Sequence, residues 1–144
     1  MIESDTIKLL RECDAGIKMG TDAIDEVYDS VKNEDFKGLL NACKDRHITL
    51  KREINSLLDE YHDDGKDPNP IAKGMSHMKT EMKLTFSGSD ESIASLITDG
   101  CNMGVKSLNM YLNKYEAADE KSKDITKRLI AIEEHLTSDI RKYL

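Results

Sequence analysis

His47 is the residue whose type and position most clearly suggest chemistry. Apolar residues around it recur every three or four positions, and His47 stands where the next one is due: Phe36, Leu40, Cys43, His47, Leu50, Ile54 and Leu57. Such spacing directs one face of a helix toward a core. An imidazole on that face can bind a metal, transfer a proton or form hydrogen bonds inside the core. We expect a buried histidine whose ring nitrogens bond to a neighbouring side chain, a carbonyl or a water.

A second histidine, His135, is expected near the same level of the fold, beside the apolar stripe of its helix and half exposed. Antiparallel pairing about a turn near residues 33–34 sets His47 opposite Gly20, and pairing about a turn near residue 119 sets His135 opposite Gly104. A glycine inside a helix costs about 1 kcal/mol relative to alanine. Four glycines near this level therefore need a reason, which is either close approach of the helices or room for a bulky group: Gly16, Gly20, Gly100 and Gly104.

The elements that must position these residues are helices. Apolar residues keep a three-and-four spacing on both sides of two breaks, "DDGKDPNP" at 63–70 and "FSGSD" at 86–90. Asn33, Ser89 and Asp119 are predicted to begin helices, because each is a good N-cap followed by acidic residues. The pattern predicts four long helices of about 25–30 residues and no strand.

The segment between the two breaks has its own helical pattern. Ile71, Met75, Met78 and Met82 step by four, three and four residues, which predicts a short helix that begins near Asn69. This connection could lie beside an up-and-down bundle. It could also carry the chain back along the bundle, so that the third long helix runs parallel to the second, and we favour this option.

Composition narrows the classes of partner. The chain of 144 residues is 38% hydrophobic and 34% charged, and its formal net charge is −7. That charge argues against nucleic acid and anionic membranes as partners. The sequence has no apolar run near 18 residues, no signal-peptide pattern and three cysteines without a CxxC pair, so we expect a cytoplasmic protein with reduced thiols.

The layout resembles the ferritin-like four-helix-bundle superfamily, and most closely small bacterial ferritin-like proteins of unassigned function. The features that carry the resemblance are two helical hairpins, a long crossover, and the mid-helix histidines His47 and His135. It implies an all-α bundle of two antiparallel hairpins, with a short extra helix in the crossover. We expect one domain over 1–144, with hairpins at about 3–62 and 90–143 and the crossover at about 63–89.

The resemblance implies a metal site that this sequence does not complete. In metal-binding members the second and fourth helices each supply Glu-x-x-His, and the first and third each supply a Glu. Here Lys44 and Ile132 stand three residues before the two histidines. We therefore expect no cofactor. The alternative is an improvised iron, manganese or zinc site drawn from these candidates: His47, His135, Asp22, Asp99 and Glu134.

Three functions stay open from the sequence. The first, which we favour, is a non-catalytic ferritin-like bundle that acts as a binding or structural module and forms a homodimer. The second is a metal-binding oxidase or storage protein with a non-standard mid-bundle site. The third is an oligomerising helical scaffold. No catalytic residue can be assigned.

Overall fold

Four long helices account for most of residues 4–63 and 88–144, the part of the chain that the computed structural model describes. They are α1 (Ser4–Tyr28), α2 (Glu34–Glu60), α3 (Asp90–Lys114) and α4 (Glu120–Ile140), and a 3₁₀ turn, Arg141–Tyr143, ends the chain. These two ranges contain no strand, so the prediction of an all-helical fold is confirmed for them. The short helix predicted in the crossover lies outside the described residues.

The three predicted N-caps are confirmed. The side chain of Asn33 accepts a hydrogen bond from the backbone N–H of Phe36, which caps α2. Ser89 caps α3 in the same way, and so does Asp119 at the start of α4. Each cap satisfies a backbone N–H that has no partner within its own helix.

One end of the bundle joins the α1–α2 turn to the start of α3. The carboxylate of Asp90 accepts hydrogen bonds from the backbone N–H groups of Lys32 and Asn33, at 2.8 and 2.9 Å. Phe36 stacks on Tyr143 with ring centroids 4.6 Å apart, which places the end of α4 close to the start of α2.

The opposite end joins the α3–α4 turn to the start of α1. The carboxylate of Asp5 accepts from the backbone N–H of Ala117, and the hydroxyl of Thr6 accepts from that of Asp119. Helix α3 therefore runs in the direction opposite to α1 and in the same direction as α2. Going round the bundle, the order is α1, α2, α4 and α3, and α1 also contacts α4 across the centre.

The core consists of two apolar clusters, one toward each end of the bundle. The first includes Ile24, Val27, Phe36, Leu40, Cys43, Ile97, Cys101, Leu136 and Ile140. The second includes Leu10, Cys13, Ile17, Leu50, Ile54, Leu108, Ile125 and Leu129. On every helix the residues that separate the two clusters lie at the middle of the bundle. In the described ranges, no helix is both long enough and apolar enough to cross a bilayer.

Candidate functional site

A polar layer separates the two apolar clusters, and each helix contributes one residue to it. These residues are Gly20 on α1, His47 on α2, Gly104 on α3 and Glu133 on α4, and we call them the mid-bundle layer. His47 is 2% exposed and Glu133 is 7% exposed. A buried imidazole and a buried carboxylate at the middle of a core are the strongest candidates for function in the described part of the chain.

Helix periodicity places both polar side chains in the core. His47 continues the buried stripe between Cys43 and Leu50 on α2. On α4 the buried residues step by four, three, four, three and four: Ser122, Thr126, Leu129, Glu133, Leu136 and Ile140. Because residues three and four apart share a helix face, Glu133 must point inward with the rest.

The imidazole of His47 is held by its own helix. Its Nδ1 lies 2.8 Å from the carbonyl oxygen of Cys43, one turn earlier, and 3.5 Å from the Cys43 thiol. A carbonyl oxygen only accepts, so Nδ1 carries a proton and donates it. The proton that His47 can gain or lose is consequently on Nε2, the nitrogen that faces Glu133.

Nε2 of His47 and Oε1 of Glu133 are 3.8 Å apart. This distance allows strong electrostatic attraction but is too long for a hydrogen bond. Within the described ranges, Nε2 of His47 and Oε2 of Glu133 have no hydrogen-bond partner. The two groups therefore form a buried pair whose hydrogen-bonding capacity is not fully used.

The glycines of the layer make room for these two side chains. A methyl group added at Gly20 would lie 3.1 Å from Nε2 of His47, and one at Gly104 would overlap the carboxylate of Glu133. Gly16 and Gly100 show no such crowding. Of the two reasons that the sequence offers for the mid-helix glycines, room for a bulky group thus applies to Gly20 and Gly104, and the groups are the protein's own side chains.

The electrostatics of the pair favour retention of a proton. Burial alone would lower the pKa of His47, but Cys43 and the Glu133 carboxylate outweigh it and raise this pKa to about 10. Burial raises the pKa of Glu133, and His47 opposes that rise only in part. Both shifts favour the protonated forms. At neutral pH the pair therefore holds at least one proton on Nε2 of His47 or on the Glu133 carboxylate, in addition to the proton on Nδ1.

Two of the buried thiols, those of Cys101 and Cys13, are poor nucleophiles. Burial raises the pKa of Cys101, and the nearby Glu133 carboxylate raises it further. Burial also raises the pKa of Cys13 to about 12, although the Thr126 hydroxyl 3.2 Å away partly offsets the change. A thiol attacks as its thiolate, and these environments disfavour the thiolate.

The candidate metal ligands named from the sequence do not come together. His47 is in the mid-bundle layer, whereas His135, Asp22, Asp99 and Glu134 are exposed on the surface. Nε2 of His135 lies 3.7 Å from the carboxylate of Asp139, one turn later on α4. In the described ranges, no group of three or more His, Cys, Asp or Glu side chains is placed to hold a metal ion.

The sequence places His135 at the level of Gly104, beside the apolar stripe and half exposed, and it leaves Glu133 out of the site. Glu133, not His135, is the α4 residue that faces Gly104, while the His135 side chain is 64% exposed. The signal was present, because Glu133 continues the step from Ser122 through Thr126 and Leu129. A more apolar stripe with the same three-and-four spacing runs through Ile125, Leu129, Ile132 and Leu136, and the sequence alone favours it.

Comparison with known proteins adds nothing to this geometry. No protein-family model matches the chain, and neither the curated proteins nor the solved structures that were searched contain a match. Any function must therefore be inferred from the site itself.

Proposed function

We propose that this chain is a non-catalytic bundle of ferritin-like layout that serves as a binding or structural module. In this proposal the mid-bundle layer is filled by the chain's own histidine and glutamate, where metal-binding relatives of this layout would hold ions. The main support is the fit of His47 and Glu133 against Gly20 and Gly104. An added methyl group would overlap the Glu133 carboxylate at Gly104 and crowd the His47 ring at Gly20.

The donor set also supports a role without metal chemistry. A di-iron site in this layout needs carboxylates from the first and third helices, but those helices supply glycine to the layer. The layer offers one imidazole nitrogen and one carboxylate, and the hard ions of this class take more oxygen ligands than that. The residues present do not fit the implied di-metal centre.

The layer suits a structural role, because a buried polar pair penalises wrong alignments of the helices. If α2 or α4 shifted by one turn, His47 or Glu133 would be buried among apolar side chains without its partner. Stranding a buried charge costs several kcal/mol, on the order of 3–5. We infer that the pair sets the register of α2 and α4, as single polar residues do in coiled coils.

A metal-binding oxidase or storage function is the second candidate. It is favoured by one observation: Nε2 of His47 and Oε2 of Glu133 are deeply buried without a hydrogen-bond partner in the described ranges. An iron, manganese or zinc ion could use both atoms and complete its coordination with water.

Metal analysis combined with NMR of the histidine rings distinguishes the two functions. Protein made in medium supplemented with iron, manganese and zinc should contain far less than about one ion per chain. The ¹⁵N signals of His47 should show Nδ1 protonated and should not move when Zn²⁺ is added.

The controls are Glu133→Gln in the layer and His135→Gln on the surface. A stoichiometric metal that Glu133→Gln removes and His135→Gln retains would overturn the proposal in favour of the metal site.

A further inference from the structure

The outer face of α3 exposes two methionines in a surface that is otherwise rich in charge. Met103 is 38% exposed and Met110 is 58% exposed. They lie seven residues apart, which places them on one face of the helix, two turns from each other. Large exposed side chains of this kind, with little charge around them, are typical of protein interfaces.

Charge is scarce between the methionines and for a turn on either side. From Gly100 to Asn113 the only charged residue is Lys106, in a chain that is 34% charged overall. Beyond this stretch the same face carries exposed Asp99 toward the start of α3 and exposed Lys114 at its end. The face therefore has two methionines, one on either side of Lys106, with a negative residue at one end and a positive residue at the other.

We propose that this face of α3 binds the same face of a second copy of the chain, with the two α3 helices antiparallel. With the symmetry axis between Lys106 and Ser107, Met103 meets Met110 of the second copy. Asp99 of each copy then lies opposite Lys114 of the other copy. Two pairs of opposite charge therefore flank the methionines.

Charge favours contact between two copies at this face of α3, and it favours antiparallel over parallel pairing of the two helices. Two chains of net charge −7 repel each other over most of their surfaces, and this charge-poor face lets them approach. Parallel pairing would set Asp99 against Asp99 and Lys114 against Lys114. Antiparallel pairing replaces those like-charge contacts by attractive ones.

The interface is small, so the dimer should be weak. Contact along one helix falls at the low end of specific interface sizes, about 1,200 Å² or less. We expect a dissociation constant on the order of 10–100 µM, which sedimentation equilibrium can measure. The dimer does not depend on the role of the mid-bundle layer, and either idea can fail alone.

Charge reversal tests the contact and its direction together. Asp99→Lys and Lys114→Asp should each weaken the dimer by about tenfold, because each creates two like-charge contacts. The double variant Asp99→Lys/Lys114→Asp should dimerise nearly as well as the wild type, since the pairs are restored in reverse. Asp45→Lys, an exposed change of the same charge on α2, is the control and should have little effect.

A gain of affinity provides a second test. The two Lys106 side chains approach each other near the axis, so Lys106→Met removes repulsion and adds apolar area. It should tighten the dimer by about tenfold. Circular dichroism should show unchanged helicity for all of these surface variants.

Two results would overturn the proposal. One is a wild-type monomer at concentrations up to about 1 mM, which would leave the face to a different protein. The other is a dimer that the double charge reversal fails to restore, which would exclude the antiparallel α3 pairing.

Discussion

We expect His47 and Glu133 to stabilise the bundle mainly as a pair, because each faces the other across the buried mid-bundle layer. The two groups are 3.8 Å apart and almost fully buried, so bulk solvent does not reach either of them. Breaking a buried pair from one side is far more costly than replacing both members by apolar residues of similar volume.

The first prediction follows from that asymmetry. His47→Leu and Glu133→Met should each lower the free energy of unfolding by about 2–4 kcal/mol, because the remaining polar group is stranded. The double variant should lie within about 1 kcal/mol of the wild type. Urea denaturation at neutral pH measures the four proteins.

The exposed neighbours Glu134 and His135 supply the matched control. Glu134→Met and His135→Leu should each change stability by no more than about 0.5 kcal/mol. If the double variant in the layer loses as much as the sum of the single ones, the two residues act independently and the pair has no structural meaning.

The second prediction concerns pH. The pKa values of His47 and Glu133 are both higher in the folded protein than in the unfolded chain. At a pH between the unfolded and the folded pKa of either residue, the folded protein therefore binds more protons. The stabilisation from His47 is complete below its unfolded pKa of 6.5 and is lost as the pH rises through about 10. The raised pKa of Glu133 acts in the same direction above 4.5.

The wild type should therefore lose stability relative to the double variant His47→Leu/Glu133→Met as the pH rises from about 5 to 9, by at least about 1 kcal/mol. Among the described residues, the other titratable groups that interact with the pair are Cys43 on α2 and Cys101 on α3, and α1 contributes Gly20 to the layer. Burial, the larger cause, raises the pKa of Cys101, so its thiol stays protonated over this pH range. A wild type that gains stability relative to the double variant as the pH rises would contradict the assigned proton states.

Sequence reasoning found half of this site. His47 could be predicted to be buried, since it interrupts a strong apolar stripe on α2, and its pairing with Gly20 followed from the length of the hairpin. On α4, periodicity allows two inward-facing stripes, one through Glu133 and a more apolar one through Ile132. The choice between them depends on how α4 is rotated against α2, which is a tertiary property.

At the scale of the helices, local signals were reliable and long-range contacts were not visible. Asn33, Ser89 and Asp119 cap their helices through hydrogen bonds to residues three positions later, and such motifs can be read from short segments. The contacts from Asp90 to the α1–α2 turn, and from Asp5 to the α3–α4 turn, join residues distant in the chain. No local pattern encodes them.

The third prediction tests how closely α3 fits α4. Gly104→Ala should destabilise the protein by about 1–3 kcal/mol, because the new methyl displaces the Glu133 carboxylate from its space. Gly100→Ala, one turn earlier on the same helix, meets nothing within 4 Å and should stabilise it by about 0.5–1 kcal/mol.

Removal of the carboxylate should reverse the first effect. In a Glu133→Ala background, Gly104→Ala should become neutral or stabilising, since the space is free and alanine favours the helix. Thermal denaturation of the two single variants and their combination gives the coupling. Additive effects would show that Gly104 is not there to accommodate Glu133.

At the scale of the whole molecule, the connection between α2 and α3 determines the architecture. The end of α2 lies near the start of α1, where Arg11 forms an ion pair with Asp63. Helix α3 starts at the other end, beside the α1–α2 turn. The sequence could suggest this return because its two breaks are far apart, but an up-and-down order was equally compatible with the helix pattern.

The fourth prediction uses the distance that this connection must cover. Helix α2 has 27 residues and is about 40 Å long, so at least about 12 extended residues are needed to join its end to the start of α3. Replacement of residues 64–87 by about 24 Gly/Ser residues should preserve the order of the helices. Replacement by about six, with a reach near 20 Å, cannot preserve it within one chain.

Asp90 reports which order is present. With the long linker, Asp90→Ala should cost about 1–2 kcal/mol, because two backbone N–H groups of the α1–α2 turn lose their acceptor. With the short linker, the start of α3 must stay near the end of α2, at the end of the bundle opposite the α1–α2 turn. In any monomer that folds in this way, Asp90→Ala should cost almost nothing, because Asp90 no longer contacts that turn. Glu91→Ala, which changes the adjacent acidic residue, corrects for the helix dipole in both backgrounds. If Asp90→Ala cost the same in the two monomers, the short linker would also join the end of α2 to the start of α3 beside the α1–α2 turn. The connection would then not need to run the length of the bundle, and the prediction would be wrong.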